Sequence, residues 1–153
     1  MRRKDRETSR EFALEIVDKC EYAVLSVIDA DGLPYCVPIT IVRDGEAVYF
    51  HCAKDGAKID AMRKNPNVCL ACVGNTNRLK DKFTTEFESA IVKGKAEEVY
   101  DENEKIHALK LLCERHTPTN MANFDAAIER SLSRTAIWKI SVVSITGKQK
   151  KSK

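Results

Sequence analysis

The stretch YAVLSVIDADGLPYCVPITIVRDGEAVYFHC, residues 22–52, decides the fold. Residues 22–28 form an apolar run of strand-forming side chains, and residues 35–42 form a second. Between them Asp29-Ala30-Asp31-Gly32 has turn chemistry. Asp44-Gly45 then precedes a third run, 48–52, and is a two-residue hairpin signal. Three strands joined by tight turns make an antiparallel meander. Pro38 cannot donate a ladder hydrogen bond, so its strand reads as an edge or an irregular stretch. Such a place suits backbone groups aimed at a ligand.

Outward from the meander, the pattern alternates between strands and helices. Upstream, Thr8-Ser9-Arg10-Glu11 reads as a capping box. Phe12, Ala13, Ile16, Val17 and Cys20 follow at helical spacing and predict a helix over 9–20. Downstream, a short helix over about 56–64 stops before Asn65-Pro66, since the residue ahead of proline avoids the α region. Residues 68–73 read as a strand, 75–85 as polar and irregular, and 87–100 as a long strand with a bulge or bend at Gly94. Asp101-Glu102-Asn103-Glu104 starts a helix whose stripe is Ile106, Leu109, Leu112, Cys113 and His116. Residues 117–121 break it, 122–132 suggest one more short helix, and 136–146 alternate as a last strand. Six mostly antiparallel strands with inserted helices predict a mainly β fold, a small closed barrel with helical additions. Period counting alone does not separate it from other α+β folds. The 153 residues form one domain, 1–153, without internal repeats.

Composition narrows the function classes. Hydrophobic residues make up 43% of the chain, enough for a core without staples. The 26 basic and 23 acidic residues leave a net charge of +3, which gives no electrostatic footprint for nucleic acid. Basic residues gather at the two ends, Arg2, Arg3, Lys4 and Arg6, then Lys148, Lys150, Lys151 and Lys153, and read as solvated termini. No apolar run approaches the ~20 residues of a membrane span. MRRKDRETSREF has no apolar stretch behind its basic residues, so it does not read as a signal peptide. The expectation is a cytoplasmic protein without a membrane or nucleic-acid partner, its six cysteines present as thiols. Cys69 and Cys72 have C-x-x-C spacing but fall within a strand, on opposite faces, so they cannot share a metal. No metal site is expected.

The sequence contains no G-x-G-x-x-G, P-loop, G-x-S-x-G or H-E-x-x-H signature. The chemically informative stretch is Tyr49-Phe50-His51-Cys52-Ala53-Lys54-Asp55-Gly56-Ala57-Lys58. It runs from a strand end through a glycine loop into a helix start, where unpaired N–H groups favour an anion. Lys58, in the first helical turn, adds a positive charge. This is the pattern of a monophosphate site, although a first-turn lysine alone is ordinarily surface.

PYCVPITIV, VYFHCAKDGAKIDAMRKNPNVCLACVG, SAIVKGKAEEVYDENEKIHALKLL and IWKISVVSITGK, in this order, resemble the FMN-binding split-barrel superfamily of pyridoxamine 5'-phosphate oxidase-like proteins. The basic start MRRKDRE fits the same pattern. The resemblance is to the nitroimidazole-resistance branch and is most specific from His51 to Pro66. It carries little signal in 75–85 and 117–133. It implies a six-stranded antiparallel split β-barrel and FMN bound at the interface of a homodimer. Backbone groups of Val37, Pro38, Ile39 and Thr40, and of His51 and Cys52, would hold the cofactor, with Lys58 on the phosphate. Many of the oxidases place an arginine just before that lysine. Here the position is Ala57, so the phosphate has one side-chain cation fewer. Ser89, read as opening the long strand, falls where a polar residue faces the flavin ring. Trp138 falls where a residue reaches the flavin of the other subunit, a looser match beside its ordinary reading as core. The arginines that hold pyridoxal phosphate are not recognisable, so no vitamin B6 chemistry is expected.

The resemblance implies an FMN-dependent oxidoreductase that takes electrons from NADH or NADPH and passes them to a small acceptor such as a nitroaromatic. His51 is the candidate catalytic residue, since an imidazole with an ordinary pKa near ~6.5 can supply a proton or polarise an oxygen. The alternative is a flavin- or haem-binding carrier or sensor without robust turnover, with His51 or His116 as the iron ligand. His107 reads as a residue of an exposed helix face. The apolar last strand, with Ile137, Trp138, Ile140, Val142 and Val143, offers surface for the dimer.

Overall fold

The computed structural model describes residues 2–152; Met1 and Lys153 lie outside the described residues. The first helix, α1 (Arg10–Lys19), begins at Ser9, whose hydroxyl accepts a hydrogen bond from the Phe12 N–H at 3.2 Å. The capping box would put the cap on Thr8. That residue belongs instead to a two-residue strand, β1 (Glu7–Thr8), and faces Gly147 far along the chain. A long-range pairing of this kind leaves no local signal.

The meander folds as β2 (Ala23–Ile28), β3 (Pro34–Ile39), β4 (Val42–Asp44) and β5 (Ala47–Cys52). Asp29 Oδ1 accepts from the N–H groups of Asp31 and Leu33 and closes the first turn. Gly45 takes φ 56° at the first position of the β4–β5 loop, a conformation that favours glycine. The expected strand over 35–42 is interrupted: Thr40 and Ile41 lie between β3 and β4. The interruption has a topological cause. After α2 (Ala57–Lys64) come β6 (Asn67–Leu79), β7 (Thr84–Val99), α3 (Glu102–His116), α4 (Phe124–Ser131) and β8 (Ala136–Lys150). All the pairings are antiparallel, in the order β3-β2-β6-β7-β8-β5-β4, with β1 also on β8. Strands β3 and β4, joined in sequence through residues 40–41, are the two ends of this path. The barrel is therefore split rather than closed, and the break in the second strand is the split itself.

Side chains fill the split where strand pairing stops. The Arg115 guanidinium donates to the Ile41 carbonyl at 3.0 Å and to the Val17 and Cys20 carbonyls at 3.2 and 2.7 Å. His116 Nε2 stands 2.8 Å from the same Ile41 carbonyl and donates to it. α3 thus ties the β3–β4 link to the C-terminal end of α1, whose last carbonyls lack helical partners.

Residues 75–85 are not irregular. β6 continues to Leu79 and β7 starts at Thr84, forming a hairpin in which Asn77 faces Glu86 and bonds it at 3.0 Å. This ribbon projects beyond the core with polar residues on both faces, so no alternation marks it as strand. Ser89 consequently sits within β7 rather than at its start. The irregularity expected at Gly94 is present as a register shift between Lys93 and Gly94. A Cβ there would meet the Ser141 carbonyl oxygen at 2.5 Å, so glycine lets β8 approach closely.

Two cores hold the molecule. Inside the barrel, α1 packs Ile16 and Val17 against Leu25, Phe50, Leu70, Trp138 and Ile140. Outside it, α3 lays Ala108 and Leu112 over Val42, Tyr49, Val99 and Ile137. The last strand therefore does not present the apolar surplus expected of it. Ile137 is covered by α3, Trp138 and Ile140 fill the barrel, and Val142 is half-buried; of these residues Val143 alone is exposed, at 70%. No helix among the described residues is long and apolar enough to cross a membrane.

Candidate functional site

The site grows from the end of β5. On one side this strand pairs with β8, His51 opposite Ile137 and Cys52 opposite Ala136. On the other, β4 covers only Ala47 to Tyr49. The backbone of Phe50, His51 and Cys52 has one edge without a strand partner. At the other end of the sheet path, Val37, Pro38 and Ile39 bond to β2 through Leu25, Val24 and Ala23. Their outer edge is likewise unpaired, as Pro38 suggested, and Thr40 lies in the link beyond. The structure thus puts both expected backbone segments on sheet edges that border the split.

Lys58 is the second residue of α2. The helix starts at Gly56, which has φ 140° and no side chain that can cap. Among the described residues no other side chain caps that end; the Ile59 and Asp60 N–H groups bond back to the Gly56 carbonyl, which leaves those of Ala57 and Lys58 for an outside acceptor. Ala57 holds the first helical position. The Lys58 ammonium lies near the Cys52 thiol. Burial pushes that thiol pKa up, and the lysine partly opposes the shift. Next to this loop lies a cleft of about 370 Å³ bordered by Lys54, Asp55, Arg63, Glu98, Tyr100 and Lys105. Arg63 is paired with Glu98 at 2.9 Å, whereas Lys54 and Lys105 on its rim have no ion pair among the described residues. The residues present fit a terminal phosphate: a helix start without a cap, a lysine in its first turn, and cations around it.

Alternation along β5 divides the expected site residues. Cys52 packs toward the barrel core, whereas His51 shares the face of Tyr49, under α3. The histidine lines a second, mostly apolar cavity of about 180 Å³ between β5, α3 and α4. It keeps an exposed edge, but surrounding atoms desolvate the ring enough to lower its pKa. No hydrogen bond joins its ring to another described residue. The other two histidines are engaged, His107 with Asp44 at 2.9 Å and His116 with Ile41. His116 is thus held in the split through Nε2.

Ser89 and Trp138 are not brought to these cavities. Ser89 faces Lys148 on β8 while His51 faces Ile137, eleven residues away. At ~3.3 Å per residue the two rows are roughly 35 Å apart along the strand. Trp138 is 2% exposed, inside the barrel, with its indole N–H unpartnered. Cys69 points to the outer face of β6 and Cys72 into the core. Sequence reasoning missed the cavity over His51. Its one signal was the stripe Phe124, Ala127, Ile128, Ser131 in a segment that the family resemblance left blank.

An open, mainly antiparallel barrel with a helix start set beside its split defines a split-barrel protein. The chain belongs to the pyridoxamine 5'-phosphate oxidase family, whose sequence profile matches residues 9–149. Among solved structures it is similar to a candidate 5-nitroimidazole antibiotic resistance protein from Bacteroides thetaiotaomicron, with 24% identity and a TM-score of 0.76 over 92% of this chain and 84% of that one. An FAD-binding protein from Mesorhizobium loti shares 19% identity, TM-score 0.72, over 95% and 98%. An FAD- and haem-binding protein from Mycobacterium smegmatis shares 19%, TM-score 0.81, over 96% and 74%. At these identities the likeness is one of fold. No curated protein matches the sequence significantly.

Proposed function

We propose that the protein is an FMN-dependent oxidoreductase that carries electrons from NADH or NADPH to a small acceptor such as a nitroaromatic. The observation that supports this most is the uncapped start of α2 with Lys58 in its first turn, next to the unpaired edge of His51 and Cys52. Family membership and the flavin-binding relatives agree with it. When bound, the flavin supplies the two-electron chemistry; the chain supplies orientation and electrostatics. The α2 amides and Lys58 would hold the phosphate. The free edges of β3 and β5 would bond the ring system through backbone groups of Val37 to Thr40 and of His51 and Cys52. His51 offers a neutral ring N–H to an acceptor oxygen.

One lysine at an uncapped helix start suits one terminal phosphate, hence FMN over FAD or riboflavin. Purified protein should take up about one FMN per chain, bleach anaerobically with NADH or NADPH, and recover its colour on adding a nitroaromatic. Lys58→Ala should weaken FMN by about 1.5–3 kcal/mol, the range for a hydrogen bond to a charged group, or roughly tenfold and more. Equal affinity for riboflavin and FMN in a fluorescence titration excludes the phosphate role, and FMN that neither nicotinamide bleaches excludes the electron donor.

Ser89 reaches such a site only across two chains, which fits a twofold homodimer, the commonest closed oligomer. The surface suited to it is the outer face of β2, β6, β7 and β8. Ile28, Val73, Ile91 and Val143 are 40, 53, 38 and 70% exposed there, around a groove of about 480 Å³ bordered by several of the same strands. Light scattering at micromolar concentration should give the dimer mass. A monomer with FMN fully bound would rule out a shared site. The cytoplasm remains the compartment expected from the sequence.

A further inference from the structure

We propose that the cavity over His51 is a binding site for one small uncharged ring carrying a single hydrogen-bonding group. Its walls are apolar: Leu109 of α3, Phe124, Ala127 and Ile128 of α4, and Leu132 beyond it. No charged side chain lines it, so a charged ligand would be desolvated without a partner. Its volume of about 180 Å³ sets the size. An apolar cavity of ~150 Å³ in another protein accepts benzene, so one ring with a short substituent fits, whereas drug-sized ligands need pockets of ~300 Å³ and more.

Two features show that the site is built rather than a packing gap. Phe124, Ala127, Ile128 and Ser131 recur at the spacing of one helix face, yet none of them is fully buried, and α4 has no buried residue at all. An apolar stripe in a surface helix ordinarily packs on the core; here it stays half-buried and lines the cavity. α3, by contrast, is fastened at both ends: Glu104 accepts from Tyr49 at 2.8 Å and pairs with Lys139, and Arg115 and His116 hold Ile41. The polar groups of the cavity are also sorted. The Thr135 hydroxyl donates to the Ser131 carbonyl at 2.9 Å, and the Ser131 hydroxyl accepts from Arg134. The imidazole of His51 is left to bond a ligand, with the weakly polar Cys113 thiol beside it. Binding stands on this geometry alone; the use of the site for the electron acceptor rests on the flavin reading above.

Three probes test it on the full chain: benzamide, its charged analogue benzoate, and the larger 1-naphthamide. NMR signals of the His51 ring and the Ile128 methyls should shift saturably with benzamide, and benzoate should bind at least tenfold more weakly. Ile128→Phe, which fills the cavity, should weaken benzamide at least tenfold. Ile128→Ala, which enlarges it, should improve 1-naphthamide at least tenfold. No shift at His51 and Ile128 up to the solubility of benzamide overturns the site, as does benzoate binding equally well. Unchanged benzamide affinity in folded Ile128→Phe does the same. If that variant does not fold, the Ile128→Ala arm decides, and no gain for 1-naphthamide refutes the site. A parallel FMN titration separates the two readings. FMN uptake without benzamide binding refutes this site alone, and benzamide binding without FMN uptake supports the site while removing its role as acceptor pocket.

Discussion

His51→Ala is expected to keep most FMN binding and to slow the acceptor half-reaction by ~10²–10³, the usual range for one hydrogen-bond donor to an oxygen that gains charge. Cofactor binding should survive because it rests on Lys58, the α2 amides and strand backbone, none of which needs the imidazole. The pH dependence follows from the environment of the ring. Desolvation of the ring lowers its pKa below the ordinary 6.5, which favours the neutral form. It then acts by hydrogen bonding rather than as a cation, and the wild-type rate should be flat above pH 6.5 and change only below it. The alanine variant should lack that inflection. Linkage gives the matching sign for stability. With the folded pKa lowered, the unfolded chain binds the proton more readily. The contribution is therefore complete above about pH 6.5 and is lost as pH falls through the folded value. Stopped-flow reoxidation across pH 5–8 and urea melts over the same range measure both. Complete loss of FMN in His51→Ala would make the histidine a structural prop instead.

Arg115→Met should destabilise the fold by roughly 3–5 kcal/mol. The guanidinium makes three hydrogen bonds to the carbonyls of Ile41, Val17 and Cys20. Bonds to a charged donor contribute ~1.5–3 kcal/mol each, less here because the side chain is only half-buried. Methionine keeps the stem and removes all three bonds. It exposes the α1 carbonyls and frees the link between the two ends of the sheet. The urea midpoint should fall with an unchanged slope. A loss below ~1 kcal/mol would mean that water replaces the guanidinium at the split.

Much of this architecture is legible in the sequence where the signal is local. The hydrophobic period of α1, the turn at Asp29 to Gly32, the stop of α2 before Pro66 and the irregularity at Gly94 all appear where the residues put them. The misses have long-range causes. Thr8 looks like a cap but pairs with Gly147, more than a hundred residues away. Residues 35–42 look like one strand, and nothing in them reveals that Ile41 bonds to Arg115 instead of a neighbour. Asn75 to Leu79 look irregular because a ribbon with water on both faces needs no alternation. For the site, Lys58 and His51 stand at the helix start and the strand end expected of them. That His51 and Cys52 face opposite sides of β5 follows from the two-residue period. The role of α4 was hidden, since a stripe facing a cavity and one facing a core have the same sequence.

Strand β8 comes last among the strands in sequence yet lies between β7 and β5 in the sheet and also receives β1. On the ribosome, where chains lengthen at about 5–20 residues per second, β5 and β7 are made well before the strand that joins them. Until β8 emerges, the meander and the β6–β7 hairpin connect only through β2, and Val48 and Phe50 have no Ile140 or Trp138 to pack against. The nascent chain therefore carries an open seam for the seconds that β8 takes to emerge. The final fifteen-residue strand acts as the fastener that converts two half-sheets into one.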